Sequence, residues 1–299
     1  MTKTEPTWLQ KMSGYTVYAL LRLLSLLPYG VKLWLGEKIG IMLHFFKVRR
    51  KVVEANIRMC YPNWTELERR RLVKQNYIYT AQGALETIHA WWCNIDDILA
   101  NVQVEGLDIF QKAQNEDRGV LLMSGHFTIF DMMLPIASQY SHKPTSYVYR
   151  ANDNPIINQM IEEGRAGRFQ LKNFDKKQIK SFMRFIRQNG VGWYGCDQDF
   201  KQYVDLFVPF FGVLAGCISM PTNVGKISKC PVVFYSCARI GYKKYLVRFD
   251  DLGMFGDDPQ SDAVAWNAAL ERAVRRHPAQ YLWMHKRFKT RPEGEPKIY

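Results

Sequence analysis

From about residue 101 onward, short β-prone runs alternate with stretches whose apolar residues recur at helical spacing. Strands are expected at 102–104, 119–123, 145–150, 168–171, 191–195, 232–238 and 245–249. Helices are expected between them at 106–115, 127–139, 154–163, 176–188 and 261–276, with another starting near Cys217. The run 119–123 is apolar throughout, which is the pattern of a strand covered on both faces. This alternation predicts an α/β fold, a layered αβα domain around a largely parallel sheet. Upstream, 48–60 and 65–92 read as helices. The second opens with the capping box Thr65-Glu66-Leu67-Glu68 and carries an apolar face through Leu72, Tyr79, Leu85 and Ile88. No internal repeat and no Pro/Gly/Ser linker interrupts the pattern. The expected division is an N-terminal helical segment, 1–60, followed by one domain, 61–299.

Between Tyr15 and Phe46 the rhythm differs. The stretch is rich in Leu, Ile, Tyr and Trp, yet Arg22, Lys32, Glu37 and Lys38 interrupt it. The longest uncharged runs, 12–21 and 23–31, each supply about half of the roughly 20 residues that span a bilayer. No small-residue cleavage site follows, so a secretory signal is not expected. Pro28-Tyr29-Gly30 divides the stretch into two helices. A helix apolar on nearly every face either packs inside the protein or lies in a membrane interface. In the second case Arg22, Lys32 and the run Lys47-Val48-Arg49-Arg50-Lys51 would sit at head-group level. A single tilted span with a snorkelling Arg22 is the third alternative.

The net charge of +13 calls for an anionic partner: nucleic acid, a phosphorylated substrate, an acidic protein or an anionic membrane surface. Nucleic acid is disfavoured, because no reading motif and no dense Lys/Arg stripe with stacking aromatics is present. Six scattered cysteines without a C-x-x-C pair read as reduced residues, neither a disulfide frame nor a zinc site. Asn63-Trp64-Thr65 matches a glycosylation acceptor by letters, but Thr65 serves better as a helix cap. Gly190-Val191-Gly192-Trp193-Tyr194-Gly195 matches a dinucleotide fingerprint by letters. However, its glycines run through a strand and do not open a helix, so the match fails on context. No P-loop, no G-x-S-x-G elbow and no metal-spaced cluster occurs.

In an α/β sheet, chemistry collects at the carboxyl ends of strands. The strand ends nominate His126 and Asp131 after 119–123, Arg150 after 145–150, and Asp197 and Asp199 after 191–195; Arg165 and Arg168 follow the helix 154–163. An imidazole can take a proton from a hydroxyl, and a carboxylate can hold its tautomer. Five residues advance a helix roughly 140° beyond whole turns, so His126 and Asp131 cannot share one helix face. The pair works better with His126 in a turn before the helix, which Gly125 permits. The arginines suit phosphate, which a guanidinium binds with two parallel hydrogen bonds.

His126-x4-Asp131 resembles the H-x4-D/E signature of glycerolipid and lysophospholipid acyltransferases. Further stretches resemble one branch, the late acyltransferases of lipid A biosynthesis, which add lauroyl or myristoyl chains to a Kdo-bearing precursor. They are Tyr149-Arg150-Ala151-Asn152-Asp153-Asn154-Pro155, Asp197-Gln198-Asp199, Phe207-Val208-Pro209-Phe210-Phe211-Gly212 and the ending from Gln280 to Pro292. The branch often carries Glu where this chain has Asp131. The resemblance implies a membrane-associating N-terminal segment at the cytoplasmic face of a bacterial inner membrane. It implies acyl carrier protein thioester as co-substrate, a hydroxyl of the lipid as acceptor, and no other cofactor or metal. His126 would then be the general base and Asp131 its orienting acid. Arg150, Arg165 and Arg168 would meet the phosphorylated head group or the carrier's phosphopantetheine, with Asp197 and Asp199 in support. Without an evident nucleophile, direct transfer in a ternary complex is expected.

Overall fold

The computed structural model of the chain describes residues 6–167 and 169–299. Four helices come first: α1 (Trp8–Ser25), α2 (Tyr29–Phe45), α3 (Arg50–Cys60) and α4 (Glu66–Trp92). The short α5 (Asp96–Leu99) leads into β1 (Val102–Glu105), α6 (Leu107–Gln114), β2 (Val120–Ser124), α7 (Phe130–Gln139) and β3 (Thr145–Tyr149). Next come α8 (Pro155–Glu162), β4 (Lys172–Asp175), α9 (Ile179–Arg187), β5 (Val191–Gly195), β6 (Leu206–Phe210) and β7 (Val213–Cys217). The chain closes with α10 (Met220–Ser228), β8 (Pro231–Gly241), β9 (Lys244–Met254) and α11 (Pro259–Arg276).

Seven strands form one sheet in the order β1-β9-β8-β2-β5-β3-β4, while β6 and β7 form a separate hairpin. Every neighbouring pair in the large sheet is parallel except β8 and β9. The α/β expectation with a largely parallel sheet therefore holds. The central strand β2 is buried along its whole length, as its unbroken apolar run requires. On β5, a Cβ at Gly192 would lie 2.7 Å from atoms of Phe182 and Ile186 on α9. The next residue, Trp193, meets Phe130 of α7 at 4.8 Å between ring centroids. Successive strand residues point to opposite faces, so α9 and α7 cover opposite sides of the sheet.

Two expectations shift. The strand placed at 168–171 is found at Lys172–Asp175, where it pairs with Ser146–Tyr149 of β3. Part of the expected run turns instead, with Gln170 at a left-handed φ of 52°. The hairpin β6–β7 was not among the expected strands; its Pro209 is tolerated because both strands of a two-stranded hairpin are edges.

The N-terminal helices are docked on the rest of the chain. A Cβ at Gly36 would lie 2.7 Å from Cα of Gln82, and one at Gly40 would lie 2.5 Å from Cα of Ile78, so glycines bring α2 against the backbone of α4. Lys32, which the interfacial alternative would put at head-group level, is buried. Its Nζ donates to the Ser25 carbonyl at 2.8 Å and lies 3.1 Å from both His89 Nδ1 and Cys93 Sγ. Nearby, Glu86 accepts from Tyr29 at 2.7 Å and from Tyr245, and lies 3.2 Å from Arg239. A buried charge survives only when paired in this way. Arg22 rests over the Trp92 ring at 5.3 Å. The outer surface of the two helices is nevertheless apolar: Trp8, Leu9, Leu23, Leu26 and Phe45 are 64–77% exposed. No helix among the described residues is long and apolar enough to cross a membrane.

Candidate active site

The parallel register of β2 and β5 aligns Ser124 with Gly195. Two residues further along each strand stand His126 and Asp197, side by side although 71 positions apart. Their contact is close: His126 Nδ1 lies 2.5 Å from Asp197 Oδ1, and the His126 backbone N–H donates to Oδ2 at 3.0 Å. A Cβ at residue 195 would come within 2.8 Å of the imidazole, so Gly195 leaves the room in which the ring sits. Phe130 stacks on the imidazole, its ring 5.1 Å from that of His126 and nearly parallel to it.

Asp197 is fully buried. Burial alone pushes its carboxyl upward, but the His126 charge and hydrogen bonds, with a further contribution from His285, hold it well below the usual carboxylate range. An ionised carboxylate only accepts, so Nδ1 carries a proton, and Nε2 is the ring nitrogen left to exchange one. Among the described residues Nε2 takes no hydrogen bond, and the His126 side chain is 19% exposed. The carboxylate thus orients the imidazole with Nε2 on its open side.

The C-terminal segment closes over the dyad. Phe127 and Tyr281 form an antiparallel bridge, with Thr128 N donating to the Gln280 carbonyl at 2.8 Å and Leu282 N to the His126 carbonyl at 2.9 Å. Tyr281 donates its hydroxyl to Asp197 Oδ2 at 2.9 Å, and its oxygen lies 3.2 Å from His285 Nε2. The tyrosine proton being engaged, Nε2 of His285 donates, which fits a neutral ring. Asn76 holds the segment through the Ala279 and Tyr281 carbonyls, and Asn56 through those of Trp283 and His285.

His285 is pushed down to about 4, first by burial, against the opposing pull of Asp197 and with help from the His126 charge. Its folded-state value lies below the ordinary 6.5, so the unfolded chain binds more protons between the two values. Stability contributed by His285 is present above about 6.5 and is lost as pH falls toward about 4, on the order of 3 kcal/mol in all. Urea unfolding at pH 7 and pH 4.5 should show this loss in the wild type. The His285→Gln variant should show a clearly smaller one; an unchanged acid slope would assign the effect to other groups.

Asp131 does not serve the imidazole directly. It lies in the first turn of α7, with His126 in the loop before that helix, which starts at Phe130 and not at residue 127. Its carboxylate meets Arg165 through two bonds, Nε to Oδ1 at 2.5 Å and Nη2 to Oδ2 at 3.1 Å. Trp91 Nε1 donates at 3.0 Å and Thr87 Oγ1 at 3.3 Å. Arg165 stands on a π-helical turn, Glu163–Gly167, and lies over the Phe130 ring at 5.2 Å. Asp131 is thus linked to His126 through Arg165 and Phe130, a positioning chain of packing contacts. A carboxylate already saturated by four donors has no direction left toward the ring.

The remaining expected site residues separate. Arg150 is 68% exposed and sits 3.4 Å from Asp153, without contact to the dyad among the described residues. Asp199 pairs with no arginine among the described residues; it accepts from Thr290 N at 2.6 Å and Thr290 Oγ1 at 2.8 Å, tying down the C-terminal segment. Arg168 lies outside the described residues. Asp197, expected in a supporting role to the arginines, is the imidazole's own partner. Tyr281, His285, Trp91 and Thr87 were not singled out beforehand. The signal for Tyr281 and His285 lay in the stretch from Gln280 onward, which resemblance marked without assigning roles. Among the described residues no group of three His, Cys, Asp or Glu side chains could hold a metal ion.

Residues 2–290 match the sequence profile described as bacterial lipid A biosynthesis acyltransferase. The chain belongs to that family. It is 33% identical over 279 residues to the lipid A biosynthesis lauroyltransferase of Escherichia coli strain K12, covering 91% of this chain and 90% of that protein. The palmitoleoyltransferase of the same strain is 28% identical with the same coverage. The myristoyltransferase is 25% identical over 85% of this chain and 79% of its own length. As a lipid A biosynthesis acyltransferase, the protein transfers an acyl group, a reaction class in which an oriented imidazole can move a proton.

Proposed function

We propose that this acyltransferase moves a fatty acyl chain from an acyl carrier protein thioester to a hydroxyl of a Kdo-bearing lipid A precursor. The observation that carries the reading is the His126–Asp197 contact, which leaves Nε2 basic and open. In the proposed reaction His126 Nε2 takes the acceptor hydroxyl proton as the oxygen attacks the thioester carbonyl. The tetrahedral intermediate collapses with loss of the C–S bond, and the imidazolium returns its proton to the departing thiolate. Asp197 stabilises the imidazolium, and Arg165, held by Asp131, keeps Phe130 against the ring. Direct transfer is supported by the neighbouring Cys196, whose buried thiol is pushed well above its ordinary pKa by burial and by Asp197. Such a thiol is a poor candidate for an acyl-enzyme.

The exposed apolar side chains of α1 and α2, with Lys38, Lys47, Arg49 and Lys51 beside them, support residues 1–60 as the part that rests on the anionic cytoplasmic face of a bacterial inner membrane. Residues 61–299 then form the catalytic part.

The test is incubation of the purified enzyme with a Kdo-bearing precursor and a series of acyl carrier protein thioesters, followed by weighing the product. The expected mass gain is one acyl chain in place of one hydrogen. Parallel arms with coenzyme A thioesters and with a lysophospholipid acceptor should turn over more slowly. Faster acylation of the lysophospholipid would overturn the assigned acceptor.

A further inference from the structure

One group of exposed positive charges lies on α9, apart from the basic residues 47–51. Lys176, Lys180, Arg184 and Arg187 recur at i, i+4, i+8 and i+11 along α9 and the turn before it, while Phe182 and Ile186 on the opposite side of the helix are buried. Lys177 precedes the helix, and α10 packs beside α9, with Ser228 Oγ donating to the Met183 carbonyl at 3.4 Å. All five cations are exposed, and among the described residues none is in an ion pair. Five unneutralised cations along one stretch repel one another, a cost that an anionic partner would remove.

At the end of this stripe opens a groove of about 430 Å³, within the range of about 300–1,000 Å³ usual for small-molecule sites. Its walls are mostly apolar and aromatic, from Ile179, Tyr194, Phe200, Tyr203 and Met220, and Lys176, Lys177 and Asp205 line it as well. The groove lies at the carboxyl ends of β3, β4 and β5, the same edge of the sheet as His126. One loop serves both: Asp197 bonds the catalytic imidazole, and Phe200, three residues on, lines the groove.

We infer that the α9–α10 face is the docking surface of an acidic carrier protein, and that the groove receives the acylated arm which that carrier presents. This rests on the carrier-bound donor proposed above and adds where that donor binds. Charge complementarity selects the occupant. An anionic bilayer fits less well, because α1 and α2, which bear the exposed apolar side chains, pack on α4. That helix lies on the α7 side of the sheet, where Trp91 meets Asp131, across from α9. The basic stripe therefore looks away from the surface suited to insertion.

The full-length triple variant Lys180→Glu/Arg184→Glu/Arg187→Glu tests the surface, since all three side chains are exposed. For an acyl carrier protein donor, KM should rise about tenfold or more and lose most of its salt dependence, with kcat and Tm unchanged. For the matching coenzyme A thioester, KM should move less than about twofold. Binding to phosphatidylglycerol/phosphatidylethanolamine vesicles should be unaffected. Asn223→Trp, an exposed position lining the groove, should lower kcat/KM for both donors. An unchanged carrier KM in the triple variant overturns the surface, as does a loss confined to vesicle binding; an unaffected Asn223→Trp enzyme overturns the groove. Failure of the wild type to use any carrier-bound donor would bring down the donor reading and this inference together. Good wild-type use with an indifferent triple variant would bring down this inference alone.

Discussion

His126→Asn should lower turnover by about 10²–10⁴-fold while leaving Tm close to that of the wild type. The asparagine amide can still donate to Asp197 from near the position of Nδ1, but nothing replaces the lone pair of Nε2. His126→Ala should lose as much activity and some stability besides, because Asp197 then keeps only the backbone N–H of residue 126 and the Tyr281 hydroxyl. Losing a charge-assisted hydrogen bond to a buried carboxylate costs roughly 1.5–3 kcal/mol. Asp197→Asn separates the two contributions: the imidazole can stay in place, yet the charge that stabilises its protonated form is gone. A loss of about 10²-fold or more is expected, seen in kcat and not in KM. Steady-state kinetics with a fixed donor and thermal unfolding of each variant check these outcomes. Full turnover in His126→Asn would remove the general base from the mechanism.

The second large effect concerns stability. Asp131→Ala leaves the guanidinium of Arg165 largely buried without its carboxylate, and breaking such a pair from one side costs about 3–5 kcal/mol. The denaturant midpoint should fall accordingly, and the double variant Asp131→Leu/Arg165→Met should recover most of the loss. Asp131→Glu should retain far more stability than Asp131→Ala, because the acid only has to meet a long arginine side chain. This also accounts for a branch in which Glu often stands at this position. An acid bonded to the imidazole itself would tolerate an added methylene poorly. An Asp131→Ala protein as stable as the wild type would show that the pair is not a structural anchor.

Much of this was legible from local pattern. Thr65-Glu66-Leu67-Glu68 caps α4 as its letters require, with both reciprocal bonds present. The unbroken apolar run before Gly125 became the buried central strand, and His126 stands in the turn that follows it. The nomination of His126 followed from such local facts. The finding of its hydrogen-bond partner did not. Asp131 is near His126 in sequence, but the helix starting at Phe130 carries it toward Trp91 and Arg165. For Lys32, the sequence left burial and a head-group position both open, because its partners, Ser25, His89 and Cys93, come together only when α2 docks on α4.

The sequence by itself determined the alternation of strands and helices, the strand end that bears His126, the family, and the apolar character of the N-terminal helices. Tertiary structure decided which acid meets the imidazole, which arginine is already engaged by Asp131, and that the cations of α9 stand unpaired beside a groove. The reason is the range of the interactions. Capping and hydrophobic periodicity act over a few residues, so the letters display them. The pairing of His126 with Asp197 is set by the parallel register of β2 and β5, which brings together residues 71 positions apart and leaves no mark in either neighbourhood.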